Sequence, residues 1–170
     1  MSRTGSPQAV RTKRFIIIAS EFHRSLSEAL IRGATGVLRR AGVSGRHIDV
    51  RWVPGAFELP IACAQAARSR PRPHAIIAVG ALIHGETPQY EVLAHAVAQG
   101  LMQVSVNERL PVTFGVIVTQ TFAQARARAG LPAPRRSQHG KARQAGGAMG
   151  NRGAEAAHAA LAVLRLFKKL

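Results

Sequence analysis

At 170 residues the chain suits one domain, long enough to bury roughly 70% of its unfolded surface without help from metals or disulfides. Its single cysteine, Cys63, excludes a disulfide framework and a cysteine-rich metal site, and reads as inert core in a chain suited to a reducing cytoplasm. The net charge of +16 invites polyanions, yet half of it lies in two acid-free stretches that read as disordered: an N-terminal arm over 1–14 with Arg3, Arg11, Lys13 and Arg14, and 131–150 with Arg135, Arg136, Lys141 and Arg143.

The other basic residues are accompanied by only six Phe, one Tyr and one Trp and by no nucleic-acid-binding motif, so non-specific attraction is expected and no dedicated nucleic-acid partner. No apolar run approaches the roughly 18 residues needed to span a bilayer. The first residues, MSRTGSPQAVRTKR, carry no hydrophobic signal core behind their charges. A cytoplasmic location without a membrane partner is expected.

Phe15–Ala19 reads as a first buried strand, followed by the loop SEFHRS and a helix to about Arg40 that Ala41-Gly42 ends. Ile48–Val53 reads as a second strand. Pro54-Gly55 breaks it before a small-residue helix from about Phe57 to Arg70, stopped by Pro71 and Pro73. Ala75–Ile83 is a short, bounded apolar run with β-branched Ile76, Ile77, Val79 and Ile83, which predicts a strand covered on both faces. There Gly85 is expected to let the backbone turn, Thr87 to cap, and Pro88 to take the first position of a helix running to Asn107. A fourth strand follows over Val112–Val118, then a short helix opened by the capping-box pattern Thr121-Phe-Ala-Gln124. After Gly130 the periodicity lapses until Asn151, which is expected to cap a last helix reaching Leu170, with Lys168 and Lys169 at its dipole-favoured end.

Four alternations of strand and helix imply an α/β fold with a parallel sheet and helices on both faces. Ligands of such folds sit at the carboxyl ends of the strands, which singles out the loops SEFHRS, VPGAFELP, LIHGETPQY and VTQTF. The Gly-Glu-Thr turn ahead of a helix has free N–H groups suited to a phosphate, though the same composition serves ordinary strand-to-helix turns. Phe22 is placed to stack on a planar heterocycle or to cover the core edge, and Glu58 to favour a helix dipole or to bind hydroxyls. The seven histidines, at 23, 47, 74, 84, 95, 139 and 158, show no metal-binding spacing, so no metal is expected; His84 is the one that stands out, in the candidate ligand loop LIHGETPQY. Arg128 is marked by nothing but its charge. No paired carboxylates, nucleophile elbow or phosphate-binding Walker loop occurs, and residues alone lead to an α/β ligand binder whose loops suit an anion.

Through these loops the chain resembles the lumazine synthase family, the penultimate enzyme of riboflavin biosynthesis. VPGAFELP (Val53–Pro60) is similar to the family's most specific block and GALIHGETPQYEV to its strand-to-helix phosphate loop, while LPVTFGV, RARAG and NRGAEAA match later blocks in order and spacing. The resemblance implies a flavodoxin-like, three-layer α/β/α sandwich on a four-stranded parallel sheet over 15–170. It also implies pentamers with active sites between neighbouring subunits. The activity implied is condensation of 5-amino-6-(D-ribitylamino)uracil with 3,4-dihydroxy-2-butanone 4-phosphate to 6,7-dimethyl-8-ribityllumazine, without a cofactor. It further implies that Phe22 stacks on the pyrimidine, that Ala56, Phe57 and Glu58 hold the ribityl chain, and that Ala81, Leu82 and Ile83 offer backbone groups to the ring. Glu86, Thr87 and Arg128 would bind the phosphate, and Phe114 would close the pocket from an adjacent subunit.

Three departures stand out. Gln89 occupies the position of the family's proton-transfer histidine, and an amide takes up no proton near neutral pH. His84 stands where the family usually has arginine and is a candidate substitute for the missing imidazole. The link over 131–150 is long and basic where the family's is short, so pentamers or decamers are expected in preference to sixty-subunit shells. A weakly catalytic or non-catalytic paralogue that binds a lumazine or flavin, or serves as an assembly protein, is the alternative reading.

Overall fold

The computed structural model describes residues 10–132 and 150–167. Its strands, β1 (Phe15–Ser20), β2 (Ile48–Val53), β3 (Ala75–Ile83) and β4 (Val112–Thr119), form one sheet in the order β2-β1-β3-β4, every neighbouring pair parallel. Parallel neighbours require long crossovers, and the sheet is flanked by α1 (Arg24–Arg40), α2 (Leu59–Ala67), α3 (Gln89–Asn107), α4 (Phe122–Arg128) and α5 (Arg152–Phe167). This is the α/β three-layer sandwich with a flavodoxin-like strand order.

The two-residue alternation of strand side chains assigns the layers. Phe15, Ile17 and Ala19 of β1 join Ala75, Ile77, Val79 and Ala81 of β3 in a core shared with α1 and α5. Ile16, Ile18, Ile76, Ala78 and Leu82 face the other way, toward Leu59 and Cys63 of α2 and Val97 and Leu101 of α3. Both central strands are therefore apolar at nearly every position, as the run Ala75–Ile83 implies. Burial pushes the Cys63 thiol up to about 12, so it remains an unreactive core group.

Helix α1 buries Leu26, Ala29, Leu30, Ala34, Val37 and Leu38, one stripe at helical spacing. It ends where Gly42, at φ 96, lets the Val43 N–H reach back to the Leu38 carbonyl at 3.0 Å. Helix α5 lies close against α1: a Cβ at Gly153 would come within 2.1 Å of the Leu30 carbonyl oxygen, so only glycine permits this approach. Asn151 caps α5 as expected, its Oδ1 accepting from the Ala154 N–H at 3.0 Å, and its Nδ2 also donates to the carbonyls of Ala29 (3.0 Å) and Ala129 (2.6 Å). The capping box opening α4 is present in both directions between Thr121 and Gln124.

Some boundaries differ from expectation. Helix α2 spans Leu59–Ala67 rather than about Phe57 to Arg70. Pro60 has no N–H to donate and so belongs in a first turn, while Ser69 closes the other end, its backbone N–H and its hydroxyl both donating to the Ala66 carbonyl. Helix α3 begins at Gln89 with Pro88 at its N-cap, and the Thr87 side chain makes no cap. Gly85 is not among the residues with positive φ, so the turn there does not depend on glycine. Strand β4 gains Thr119, which pairs with Ile83 and accepts from the His84 N–H at 2.9 Å. Before β1, Lys13 N–H closes a turn onto the Val10 carbonyl and Arg14 N–H donates to His74 Nδ1, while Val10 packs on the α1/α5 core. The expectations for 1–9, 133–149 and 168–170 lie outside the described residues.

Candidate active site

After β1 the chain runs toward β2 on one side, and after β3 toward β4 on the other, although β1 and β3 are neighbours. Such a switch point opens a crevice at the carboxyl ends of the strands. A cleft of about 400 Å³ lies there, within the range of small-molecule sites. Phe22 and His23 come to it from the loop after β1, Gly55, Ala56 and Phe57 from the loop after β2, and Ala81, Leu82 and Ile83 from the end of β3. Gly85, Thr87, Gln89, Tyr90 and Leu93 complete the lining from the β3–α3 loop and the start of α3.

The loop after β1 is held by its backbone: Glu21 N–H donates to the Val53 carbonyl at 2.8 Å and Phe22 N–H to the Pro54 carbonyl at 3.1 Å. The Phe22 ring, 66% exposed, presents a free apolar face to the cleft. His23 stands at the N-cap of α1 in the left-handed conformation, φ 60 and ψ 46, its carbonyl accepting from the N–H groups of Leu26 and Ser27. Its ring meets Phe22 edge-on at 4.7 Å between centroids and lies 5.9 Å from Phe122. Partial burial lowers its pKa below the ordinary imidazole value.

Across the cleft, the ring of Tyr90 is buried in the first turn of α3. Its hydroxyl donates to Glu91 Oε1 at 2.9 Å and accepts from Gln120 Nε2 at 2.6 Å. Donation to the Glu91 carboxylate raises the phenol pKa above its ordinary value. The His84 ring packs edge-on against Tyr90 at 5.0 Å. Tyr90 also lines a second hollow, of about 520 Å³, with Glu91, His95, Gln120, Gln124 and Arg128.

Of the residues singled out from sequence, Phe22, Ala56, Phe57, Ala81, Leu82, Ile83, Thr87 and Gln89 line the one cleft. Glu58 lines a neighbouring groove between α2 and α3, its Oε2 folded within 2.9 Å of where a Gly55 Cβ would stand. Glu86 and His84 are exposed on the β3–α3 loop outside the cleft lining, and Arg128 belongs to the second hollow. Phe114 is exposed on edge strand β4, paired with Ala78 five positions before the strand's end at Thr119. Sequence reasoning does not single out His23, Tyr90 or Leu93 as cleft residues. For His23 the available signal is its place beside Phe22 in a switch-point loop; Tyr90 and Leu93 share a helix face at a spacing of three. Among the described residues no group of His, Cys, Asp and Glu could hold a metal ion, and no helix is long and apolar enough to cross a membrane.

A sequence model of the 6,7-dimethyl-8-ribityllumazine synthase family matches residues 12–168. The chain belongs to this family. The 6,7-dimethyl-8-ribityllumazine synthase of Gemmatimonas aurantiaca is 41% identical over 166 residues, covering 98% of this chain and 90% of the relative. The lumazine synthase match thus takes in every residue lining the cleft, and Phe114 and Arg128 outside it.

Proposed function

We propose that the chain is a lumazine synthase, condensing 5-amino-6-(D-ribitylamino)uracil with 3,4-dihydroxy-2-butanone 4-phosphate to 6,7-dimethyl-8-ribityllumazine with release of phosphate. The observation that carries this reading is the convergence of Phe22, Ala56, Phe57, Ala81–Ile83 and Thr87 on one switch-point cleft in a member of that family. The exposed Phe22 ring suits stacking on a pyrimidine. The backbone around Ala56 and Phe57, with the nearby Glu58 carboxylate, suits a polyhydroxy chain, and the end of β3 suits the ring's polar edge. Phosphate suits the start of α3, where first-turn N–H groups and the Thr87 hydroxyl gather. Glu86 would take part there through its backbone N–H, because its carboxylate repels phosphate. Gln89 would orient the reactants by hydrogen bonds, and the His84 ring, outside the cleft lining, would serve only to pack against Tyr90.

A single chain leaves Arg128 and Phe114 outside the cleft, and it exposes Ile61, Val92, Met102, Val106 and Val118 on α2, α3 and β4. Covering that apolar surface with a second copy, whose Phe114 and Arg128 complete the site, fits a homopentamer. Pentamers or decamers are favoured over a closed shell because Arg135, Arg136, Lys141 and Arg143 recur in every subunit's link between α4 and α5. A cytoplasmic location accords with the chain's single cysteine, which can form no disulfide within it. Calorimetry with a ribityl-pyrimidine analogue tests the binding half of this reading: the assembled protein is expected to bind it, and Phe22→Ala to weaken it by about 1 kcal/mol or more from lost stacking. An assembled wild type that binds no analogue would overturn the proposal.

A further inference from the structure

Imine formation from an amine and a ketone requires two protons to pass from the nitrogen to the departing oxygen, and Gln89 can carry neither near neutral pH. Of the described residues lining the cleft, only His23 and Tyr90 titrate at their side chains. The Tyr90 proton is committed to Glu91, which raises its pKa and makes it a poorer acid still. His84 lies against Tyr90 outside the lining. We infer that His23 is the proton-transfer residue of this cleft: its imidazole carries both amine protons in turn to the carbonyl oxygen, the first as nitrogen adds and the carbinolamine hydroxyl forms, the second as that hydroxyl leaves as water. The C=O double bond is exchanged for a C=N double bond, both amine protons end in the water, and the step needs no other reactant. The inference rests on the condensation proposed above.

Geometry supports the assignment. A pyrimidine stacked on Phe22 would lie beside an imidazole whose centroid is 4.7 Å from that ring. The side chain is not used as a helix cap, while the backbone beneath it is fixed by the Leu26 and Ser27 N–H bonds and by Ser27 Oγ donating to the Ser20 carbonyl at 2.6 Å. A non-glycine residue at φ 60 is strained, and these surrounding bonds hold it there. The ionisable groups on the cleft ends of the elements around the imidazole include Glu21, Arg24 and Glu28 on its own segment, Glu58 ahead of α2, His84 and Glu86 after β3, Tyr90, Glu91 and His95 on α3, and Arg126 and Arg128 on α4. Glu21 and Arg24 pair with each other at 3.0 Å, and the lowered pKa of His23 is caused by burial. The imidazole is accordingly neutral, and ready as a base, at neutral pH.

The test follows turnover against pH for wild type, His23→Asn and His23→Gly, two substitutions that tolerate the left-handed backbone. Wild-type kcat is expected to fall on the acid side, below the ordinary imidazole value, with a midpoint equal to the His23 pKa read by NMR in the same protein. Both variants are expected to lose about tenfold or more in kcat and the acid limb with it, to keep analogue affinity within about threefold, and in His23→Gly to recover rate with added imidazole. An acid limb that survives in both variants, a loss confined to KM and analogue affinity, or an NMR midpoint away from the kinetic one would each overturn the assignment. Absence of product from wild type would instead overturn the proposed function, and this inference with it.

Discussion

Gln120 Nε2 donates a 2.6 Å hydrogen bond to the Tyr90 hydroxyl, which donates onward to Glu91 Oε1 at 2.9 Å, so one phenol ties the loop after β4 to the first turn of α3. The same ring lines both the switch-point cleft and the hollow that holds Arg128. Because the chain has one tyrosine, ultraviolet titration reports this group alone. Tyr90 is expected to ionise above the ordinary phenol value of 10.0, since the Glu91 carboxylate favours the protonated form. Glu91→Gln should lower that pKa, and Gln120→Ala, which removes a donor to the phenolate, should raise it. Equal values in all three proteins would contradict the hydrogen-bond assignment.

Gln89 faces the cleft and His84 does not, so imidazoles at these two positions have different consequences. Much of the condensation is intrinsic amine and carbonyl chemistry, and holding the reactants together supplies a large part of the acceleration. The Gln89 enzyme is therefore expected to turn over slowly rather than to be inactive. Gln89→His should raise kcat severalfold, short of the roughly 10²–10⁴-fold typical of a positioned acid or base where none existed before. His84→Ala should change kcat by less than about threefold, as expected for a ring outside the cleft. Steady-state kinetics on both variants decides; a collapse of turnover in His84→Ala would move proton transfer to His84.

Asn151 satisfies three backbone groups at once, from Ala29, Ala129 and Ala154, and anchors α5 on α1. Asn151→Ala should destabilise the fold by about 2 kcal/mol, a lost cap plus carbonyls left without their donor, as read by urea unfolding. Gly153→Ala should cost more, since its methyl group would occupy the place of the Leu30 carbonyl. A value near zero for either would show that α5 docks by apolar contact alone.

The contrast between Asn151 and His23 explains what the residue pattern reveals. Strands β1 and β3 announce themselves because burial on both faces demands unbroken apolar runs, and the caps at Thr121 and Asn151 because a cap acts within four residues. The start of α3 is less legible: Thr87 and Pro88 each suit a helix terminus, and only the folded turn places Pro88 at the cap. The cleft is half legible. Phe22, Ala56, Phe57 and Thr87 lie in loops whose motifs mark them; His23 and Tyr90 lie in the same loops, SEFHRS and LIHGETPQY, but only the folded backbone shows that their rings turn to the cleft. Likewise only the fold brings Gln120 to the phenol it contacts, thirty residues away.

Assembly offers a separate check. The exposed Ile61 on α2, 70% accessible beside a groove shared with α3, is placed where a second copy would cover it. Ile61→Asp should break the oligomer, because burying an unpaired carboxylate in such a contact costs several kcal/mol. Light scattering at physiological salt is expected to give a pentamer or decamer for wild type and smaller species for the variant. Closed sixty-subunit particles from wild type would show that the long basic link is accommodated on a shell.

The most direct test mixes purified protein with both substrates and follows lumazine absorbance and phosphate release together. Lumazine and phosphate are expected in equal amounts, at a rate above that of the protein-free mixture and proportional to enzyme concentration. A rate no higher than the protein-free mixture, from assembled protein that still binds the ribityl-pyrimidine analogue, would contradict the proposed function and leave a binding protein in a synthase fold.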